Sequence, residues 1–338
     1  MDISKIFTLN RLAMLVVILV VGGLFKRYKN KFIPDEELSK QKLIHKYLLT
    51  DEDVIDEKKP MLWIHTNHEV NSRQWLDFMT RNTKLLNQNY IECCVKTIIN
   101  HNSEDFNICL IDDNSFEKII PNWTVDMTKL ADPIKSHMRT LALLKVLDTY
   151  GGFLCPNSAI AMKSFRQLYG NSIHKTGMFV GEIVSRNSTS SMMQLCPSTK
   201  IIAANKGNQH LRNLMRYCEL LISKDSTNEM DFEGNMERKL FEMHMQKKIH
   251  LVNGRCLGTK DRKDNAVLVD HLLSDGYIEY DNDLVLVYLP SEEILRRNKF
   301  NWFVRLNKEQ LKQANTMASK ILLMSHAKKP QKTQQKQE

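Results

Sequence analysis

Two acidic residues, Asp112 and Asp113, follow the apolar run FNICLI directly. A carboxylate at the carboxyl end of a buried strand can accept hydrogen bonds from a ribose hydroxyl or a base, and ligands of open α/β sheets bind at that edge. The sequence DDNS is equally good turn chemistry, because Asp and Asn side chains hydrogen-bond their own backbone. A ligand site and a turn or helix cap are therefore both consistent with these residues.

A second polar segment follows the pair Gly151 and Gly152 in the sequence TYGGFLCPNS. A short apolar stretch separates the pair from Pro156, Asn157 and Ser158. Asn157 and Ser158 are able to hydrogen-bond a ribose or sugar hydroxyl. Pro156 has no side-chain donor atom, and a neutral serine hydroxyl is a weak ligand for a hard dication. The segment predicts a hydrogen-bonding site without evident metal ligands.

Three charged residues are further candidates. Arg139, with a lysine such as Lys163, has the chemistry to neutralise a leaving diphosphate, because guanidinium groups bind phosphate oxygens in a bidentate manner. An ion pair between Arg139 and an aspartate at the sheet edge is an equal alternative. Glu182, in FVGEIV, is a candidate base on the acceptor side, although a lone glutamate in a strand is a weak signal.

Motifs for other chemistry are weaker in this sequence. His65 and His68 form an H-x-x-H pair, but no further ligand follows at a zinc-site spacing. The seven cysteines are odd in number and contain no CxxC pair, which favours reduced, buried thiols over a disulfide framework.

The elements around these residues alternate between strands and helices. MLWIHTN predicts a strand, NQNYIECCVKTIINHN a helix with one apolar face, and FNICLIDDNS a second strand. This order with short connections predicts an α/β fold with a mainly parallel sheet flanked by helices. Later segments predict strands in FLC, MFVGEIV, IIAA and DLVLVYLP, and helices in NQHLRNLMRYCELLI, NMERKLFEMHMQKK and NKEQLKQANTMASKILLMSHA.

The longest predicted helix lies in ADPIKSHMRTLALLKVLDTYGG. Asp132 is expected as its N-cap, Pro133 as its first residue and Gly151 as its C-terminal cap. The apolar residues expected on one face are Ile134, Met138, Leu141, Leu144 and Leu147.

The order KPMLWIH, helix, NICLIDDNS, SHMR and YGGFLCPNS resembles the DXD-containing sugar-transferase family, glycosyltransferase family 32, over roughly residues 61–168. The family includes mannosyltransferases and capsular-polysaccharide transferases. The resemblance implies a GT-A fold and transfer of a sugar from a nucleotide donor, usually with Mn²⁺. Together with the residue chemistry above, this makes Asp113 and Glu182 the candidate catalytic residues. The candidate nucleotide-sugar-binding residues are Asp112, Arg139, Gly151, Gly152, Asn157 and Ser158.

Two positions depart from the family pattern. The pattern Gly-Gly-x-Tyr-x-Asp-x-Asp has Pro156 and Ser158 at its two Asp positions, so the usual ligands of Mn²⁺ are missing and the resemblance implies no metal residue here. The family's Ser-Asp-x-x-Arg is represented by Ser136, His137, Met138 and Arg139, about one helical turn earlier, with His in place of Asp.

The N-terminus predicts a single-pass membrane anchor. LAMLVVILVVGGLF, residues 12–25, is uncharged, and as a helix it covers about 21 Å of a hydrocarbon core about 30 Å thick. Starting at Ile6 lengthens the segment to 20 residues, and KRYKNK follows it. The excess of Lys and Arg after the run predicts a cytosolic body. A signal peptide and a buried core helix are the alternatives.

Charge and composition complete the predicted organisation. The net charge of +9 lies mostly at the two ends, which argues for an anionic membrane surface and against nucleic acid as a partner. The predicted segments are an anchor with a basic flank at 1–31, a stem at 32–59, a GT-A-like domain at 60–327 and a disordered basic tail at 328–338.

The sequence as a whole predicts a membrane-anchored, glycosyltransferase-like protein. Its expected partners are a nucleotide-sugar donor and a glycan or other hydroxyl acceptor. The alternative is a catalytically inactive, transferase-like domain that serves as a membrane-tethered binding or scaffold protein, because the DXD pair is missing.

Overall fold

The computed structural model describes residues 48, 55–66, 88–224 and 228–327. The chain divides into two units, Met1–Lys46 and Tyr47–Glu338, and the fold described below is that of the second. The predicted anchor, most of the stem and the tail lie outside the described residues, so they stay predictions. Among the residues described, no helix has the length and apolar character needed to cross a membrane.

A six-stranded sheet forms the centre of the fold, in the order β2-β1-β3-β6-β5-β7. Five strands run in one direction, and β6 alone is antiparallel to its neighbours β3 and β5. The expected mainly parallel sheet is therefore confirmed, with one reversed strand. Its strands are β1 Met61–His65, β2 Asn107–Ile111, β3 Gly152–Pro156, β5 Met178–Val184, β6 Leu195–Ala204 and β7 His250–Val252. A separate two-stranded sheet pairs β4 Ala159–Ala161 with β8 Leu286–Tyr288.

Strands β1 and β3 are mostly apolar, as expected for strands of a parallel sheet that is covered on both faces. Leu62, Trp63 and Ile64 of β1 are fully buried, and Leu62 pairs with Ile108 on one side and Phe153 on the other. The helices are α1 Asn89–Asn102, α2 Phe116–Ile119, α3 Ile134–Tyr150, α4 Arg166–Thr176, α5 Gln209–Ser223, α6 Glu229–Met245, α7 Val269–Leu272, α8 Ser291–Arg296, α9 Asn301–Val304, α10 Lys308–Gln313 and α11 Met317–Ala327.

The C-terminal segment predicted as one helix is two helices, α10 and α11. The first ends at Gln313, and Thr316 begins the second, since its Oγ1 accepts a hydrogen bond from the Ser319 backbone N–H at 3.1 Å. A single capping residue such as Thr316 interrupts the apolar pattern at one position only, so the break between the two helices was not visible in the sequence pattern.

The first turns of α3 differ from the predicted amphipathic pattern. Pro133, and not Asp132, precedes the helix, and no side-chain cap forms there. Leu141, Leu144 and Leu147 are buried as expected, but Ile134 and Met138 are only half-buried. The buried residues in this part of α3 are Lys135 and His137. His137 stacks on Phe232 of α6 with ring centroids 3.9 Å apart, so the start of α3 packs against α6 as well as the sheet.

The buried ring of His137 predicts that the folded protein becomes less stable at acid pH. Burial lowers the pKa of His137 although Glu229 and Asp132 oppose the shift, and neither ring nitrogen has a hydrogen-bond partner among the described residues. The neutral ring therefore stabilises the fold fully above its ordinary pKa of about 6.5, and that contribution is lost as the pH falls towards the lowered pKa.

We expect the urea midpoint of the parent to fall between pH 7.5 and pH 5.5, and the midpoint of His137→Phe to fall less. The exposed His174→Phe is the control, and an unchanged pH dependence in His137→Phe would contradict this origin.

Candidate functional site

A cavity of about 690 Å³ lies at the carboxyl edge of the central sheet. His65, Pro156 and Val184, the last residues of β1, β3 and β5, line it. Side chains of α3, α6 and α8 form its other walls. This is the edge at which open α/β sheets bind their ligands.

Asp113 accepts hydrogen bonds from two residues of the cavity wall. Its Oδ1 accepts hydrogen bonds from His65 Nε2 at 3.0 Å and from Arg139 Nε at 2.8 Å, and its Oδ2 accepts one from Arg139 Nη2 at 2.6 Å. His65 and Arg139 line the cavity, and the side chain of Asp113 is 14% exposed. The ion pair considered as an alternative for Arg139 is therefore present, and it fixes the position of Arg139 beside the cavity.

The charges of this cluster follow from burial and hydrogen bonding. Burial opposes ionisation of Asp113, but the hydrogen bonds from Arg139 and His65 hold the pKa of its carboxyl group well below the ordinary value. Burial lowers the pKa of His65 although Asp113 opposes the shift. An ionised carboxylate only accepts hydrogen bonds, so the neutral His65 ring donates from Nε2 and keeps Nδ1 as an acceptor. His65 lines the cavity, and Nδ1 has no hydrogen-bond partner among the described residues.

The residues at the two missing Asp positions are Pro156 and Ser158. Ser158 Oγ donates to the Leu289 carbonyl at 2.6 Å, and the residue is almost completely buried. Asn157, between them, lines the cavity, and its side chain has no hydrogen-bond partner among the described residues. Asn157 is thus the polar group of this segment that a ligand can engage.

These residues do not fit the Mn²⁺ ion that the sequence resemblance implies. Pro156 has no donor atom, and the hydroxyl of Ser158 is committed to a backbone carbonyl. In the part of the chain that the structure describes, no group of three or more His, Cys, Asp or Glu side chains is placed to hold a metal ion. We derive no step through a metal.

Four other predicted residues lie outside the cavity lining. Asp112 caps the turn after β2, because its Oδ1 accepts hydrogen bonds from the Ser115 backbone N–H at 2.9 Å and hydroxyl at 2.5 Å. Gly151 ends α3 with φ 72°, and Gly152 begins β3, about 13 Å from Pro156 by the rise of a strand. The structure thus places the Gly pair at the opposite edge of the sheet from the cavity.

Glu182 is the fourth of these residues. Its carboxylate lies 2.7 Å from Lys260 Nζ and accepts a hydrogen bond from the Gly254 backbone N–H at 3.0 Å. Lys163, the lysine suggested beside Arg139, donates to the Asn282 carbonyl at 2.5 Å and is likewise outside the lining. The partners of both side chains belong to the segment that follows β7, and they hold Glu182 and Lys163 outside the cavity.

The sequence analysis missed the half of the cavity formed by β6, α6 and α8. Lys200 of β6 lies 2.5 Å from Glu292 of α8 and 3.5 Å from Glu233 of α6. Strand β6 begins at Leu195, six residues before the predicted start at Ile201, and Lys200 lies at an irregularity in its pairing with β5, between Ser198 and Ile202. Glu233 lies two residues before the predicted helix NMERKLFEMHMQKK, so the sequence analysis gave it no role, whereas the helix in the structure begins at Glu229.

The cavity wall is balanced in charge. Five basic residues line it, and a carboxylate lies within 3.2 Å of each: Arg139 with Asp113, Arg186 with Glu293, Lys200 with Glu292, Arg296 with Glu229, and Arg297 with Glu293. The five carboxylates in the lining are Glu229, Glu233, Glu237, Glu292 and Glu293. An anionic ligand must therefore share or displace existing ion pairs.

Comparisons with known proteins give little beyond this geometry. No protein-family model and no curated protein matches the chain. A solved structure, "PaToxG Glycosyltransferase", is similar with a TM-score of 0.29 and 13% sequence identity, over 61% of this chain and 74% of that one. A TM-score this low carries no argument about fold or activity.

Proposed function

We propose that the cavity is the donor site of a glycosyltransferase-like protein with a GT-A-like fold, which binds a nucleotide sugar without a metal ion. The observation that carries the proposal is the position of the cavity at the carboxyl ends of β1 and β3, with the amide of Asn157 on its wall. The mainly parallel sheet, with its one reversed strand, supports the GT-A-like assignment.

The wall beside β1 and β3 suits the nucleoside of the donor. His65 offers Nδ1 as an acceptor, and the amide of Asn157 offers both donors and an acceptor to ribose hydroxyls. Asp113 fixes the ring orientation of His65 through Nε2 at 3.0 Å. Arg139 is held by the same carboxylate, so this wall is ordered before a ligand arrives.

The opposite wall supplies the positive charge that a leaving diphosphate requires. Lys200 is the least exposed cation of this wall, with 29% of its side chain accessible, and Arg186 is 46% exposed. Both are paired with glutamates, so diphosphate binding would exchange a carboxylate for a phosphate on each cation. Donors fixed near a developing negative charge stabilise the transition state of such a reaction.

Transfer would proceed by attack of an acceptor hydroxyl on the anomeric carbon of the sugar. A glycan or another hydroxyl compound is the proposed acceptor, and the N-terminal apolar run is proposed to tether the protein to a membrane, with its body on the cytosolic side. Both proposals derive from the sequence.

Thermal unfolding of the full-length protein tests the donor site. We expect a UDP-, GDP- or CMP-sugar to raise the melting temperature without added Mn²⁺, and Asn157→Ala to weaken binding about three- to tenfold through the loss of a hydrogen bond. Asn213→Ala, at an exposed position on α5, is the matched control. Folded protein that responds to none of the nucleotide sugars would refute the proposed donor site.

A second candidate is a membrane-tethered, transferase-like scaffold without catalysis. The observation that favours it is the pairing of all five cations in the cavity lining with carboxylates. This candidate predicts no transfer with or without metal, and a partner interaction that survives Arg139→Ala and Asp113→Ala in variants that remain folded.

A further inference from the structure

One carboxylate of the cavity differs from the others in its partners. Three of the glutamates form close ion pairs: Glu229 with Arg296 at 2.6 Å, Glu292 with Lys200 at 2.5 Å, and Glu293 with Arg297 at 2.7 Å. Glu237 is 7% exposed and accepts hydrogen bonds from the hydroxyls of Ser185 at 3.0 Å and Thr189 at 2.5 Å. Four of the five carboxylates in the lining are thus fully engaged.

Glu233 is the exception. Its nearest cation is Lys200 at 3.5 Å, and its carboxylate has no hydrogen bond among the residues described. The side chain is 34% exposed and lines the cavity. Its oxygens therefore keep their accepting capacity for a ligand.

The surroundings of Glu233 favour proton uptake. Glu229 and Glu237 lie one turn before and one turn after it on α6, where the i, i+4 spacing places all three on one face. Burial raises the pKa of Glu233, Lys200 of β6 lowers it, and Glu292 of α8 raises it together with the two neighbours on α6. A carboxylate with a raised pKa is a stronger proton acceptor than one with the ordinary value.

We propose that Glu233 is the base that removes the proton from the acceptor hydroxyl. This assignment rests on the proposed function and replaces Glu182, which lies outside the cavity. It places the acceptor on the α6 wall, across the cavity from His65 and Asn157, and makes the acceptor a hydroxyl compound.

The step balances without a further reactant. The acceptor O–H bond breaks and its proton passes to a carboxylate oxygen of Glu233. The acceptor oxygen forms a bond to the anomeric carbon, and the bond from that carbon to the diphosphate oxygen breaks. The electron pair leaves with the nucleoside diphosphate, so a single displacement of this kind inverts the anomeric configuration.

The test uses the full-length protein, and it measures donor binding and turnover separately. Binding is the thermal shift with UDP-, GDP- or CMP-sugars, and turnover is release of the nucleoside diphosphate with water or a methyl glycoside as the acceptor. We expect Glu233→Gln to keep the thermal shift and to lose turnover at least 100-fold, within the range for a lost general base. Glu233→Asp should retain part of the activity, and Glu242→Gln, at an exposed position on the same helix, should match the parent.

The pH profile separates a base from a merely structural residue. Turnover by the parent should fall at acid pH as the Glu233 carboxylate becomes protonated, and this acid limb should be absent from the residual rate of Glu233→Gln. Turnover by Glu233→Gln within about threefold of the parent would overturn the assignment. Donor binding by the parent without turnover to either acceptor would also overturn it while leaving the donor site standing, and the absence of donor binding would refute the proposed function itself.

Discussion

Replacing Asp113 with asparagine is expected to lower the free energy of unfolding by about 3–5 kcal/mol, the scale for breaking a buried ion pair by removing one partner. The substitution keeps the shape of the side chain but leaves Arg139, whose side chain is 15% exposed, without its two carboxylate hydrogen bonds. The asparagine amide keeps only one acceptor oxygen, so it cannot serve both the Oδ1 position, which His65 Nε2 and Arg139 Nε share, and the Oδ2 position bound by Arg139 Nη2. Urea unfolding at pH 7 measures the loss.

Asp126→Asn is the matched control for this change. Asp126 caps a short turn and accepts a hydrogen bond from the Thr128 backbone N–H at 3.0 Å, but it is exposed, and asparagine caps as well as aspartate. We expect almost no change in stability.

In the double variant Asp113→Ala with Arg139→Ala, the loss in free energy of unfolding should be smaller than the sum of the losses in the two single variants, because the two side chains act as a unit. Additive losses would show that the two side chains are not coupled.

The pH dependence of Asp113→Asn has a definite sign. The pKa of Asp113 is depressed in the folded state, so its contribution is fully present above the ordinary value of about 3.9 and is lost as the pH falls through the folded value. The difference in stability between the parent and Asp113→Asn should therefore narrow below about pH 4. A constant difference down to pH 2.5 would contradict the assignment of the charge.

Gly152→Ala is expected to have the second large effect, a loss of about 3 kcal/mol or more, which is at the upper end for single substitutions. A Cβ atom at Gly152 would lie 2.4 Å from the Met61 carbonyl oxygen and 2.8 Å from the Met61 Cβ, and the residue has φ 108°. The contact with the carbonyl oxygen is with backbone, so no rotamer change relieves it. The strands that must separate are β1 and β3, which carry His65 and Asn157 to the cavity.

Gly170→Ala, within α4, provides the control for Gly152→Ala. No atom lies within 4 Å of a Cβ built at Gly170, and alanine is favoured over glycine in a helix by about 1 kcal/mol. We expect Gly170→Ala to be slightly stabilising and Gly152→Ala to unfold at much lower urea concentration, with circular dichroism as the signal. Equal midpoints for the two variants would mean that β1 and β3 can adjust their spacing without cost.

The sequence predicted much of the cavity wall beside β1 and β3. The apolar runs MLWIH and NICLI are short and continuous, so their assignment as buried strands needed no information from distant residues. Gly151 was correctly expected to end α3, because the left-handed conformation there favours glycine whatever the rest of the fold. The position of Asn157 after β3 follows from the same local pattern.

Local sequence patterns did not distinguish the different roles of adjacent residues. Asp112 and Asp113 are adjacent and chemically identical, yet one caps a turn and the other holds His65 and Arg139. The distinction depends on which side chain faces residues from β1 and α3, and that is a matter of packing. Gly151 and Gly152 belong to the sequence motif but serve backbone contacts at the far edge of the sheet.

By itself, the sequence determined the alternation of strands and helices and the polar residues that follow β1, β2 and β3, because hydrophobic period and glycine conformation act over a few residues. The tertiary structure alone decided that β6 runs antiparallel and that Lys200, Glu233 and Glu292 meet across the cavity. Strand direction is set by pairing partners, and the burial and charge of a glutamate are set by helices from distant segments. The candidate base of this protein is therefore visible only once α6 and α8 are packed against the sheet.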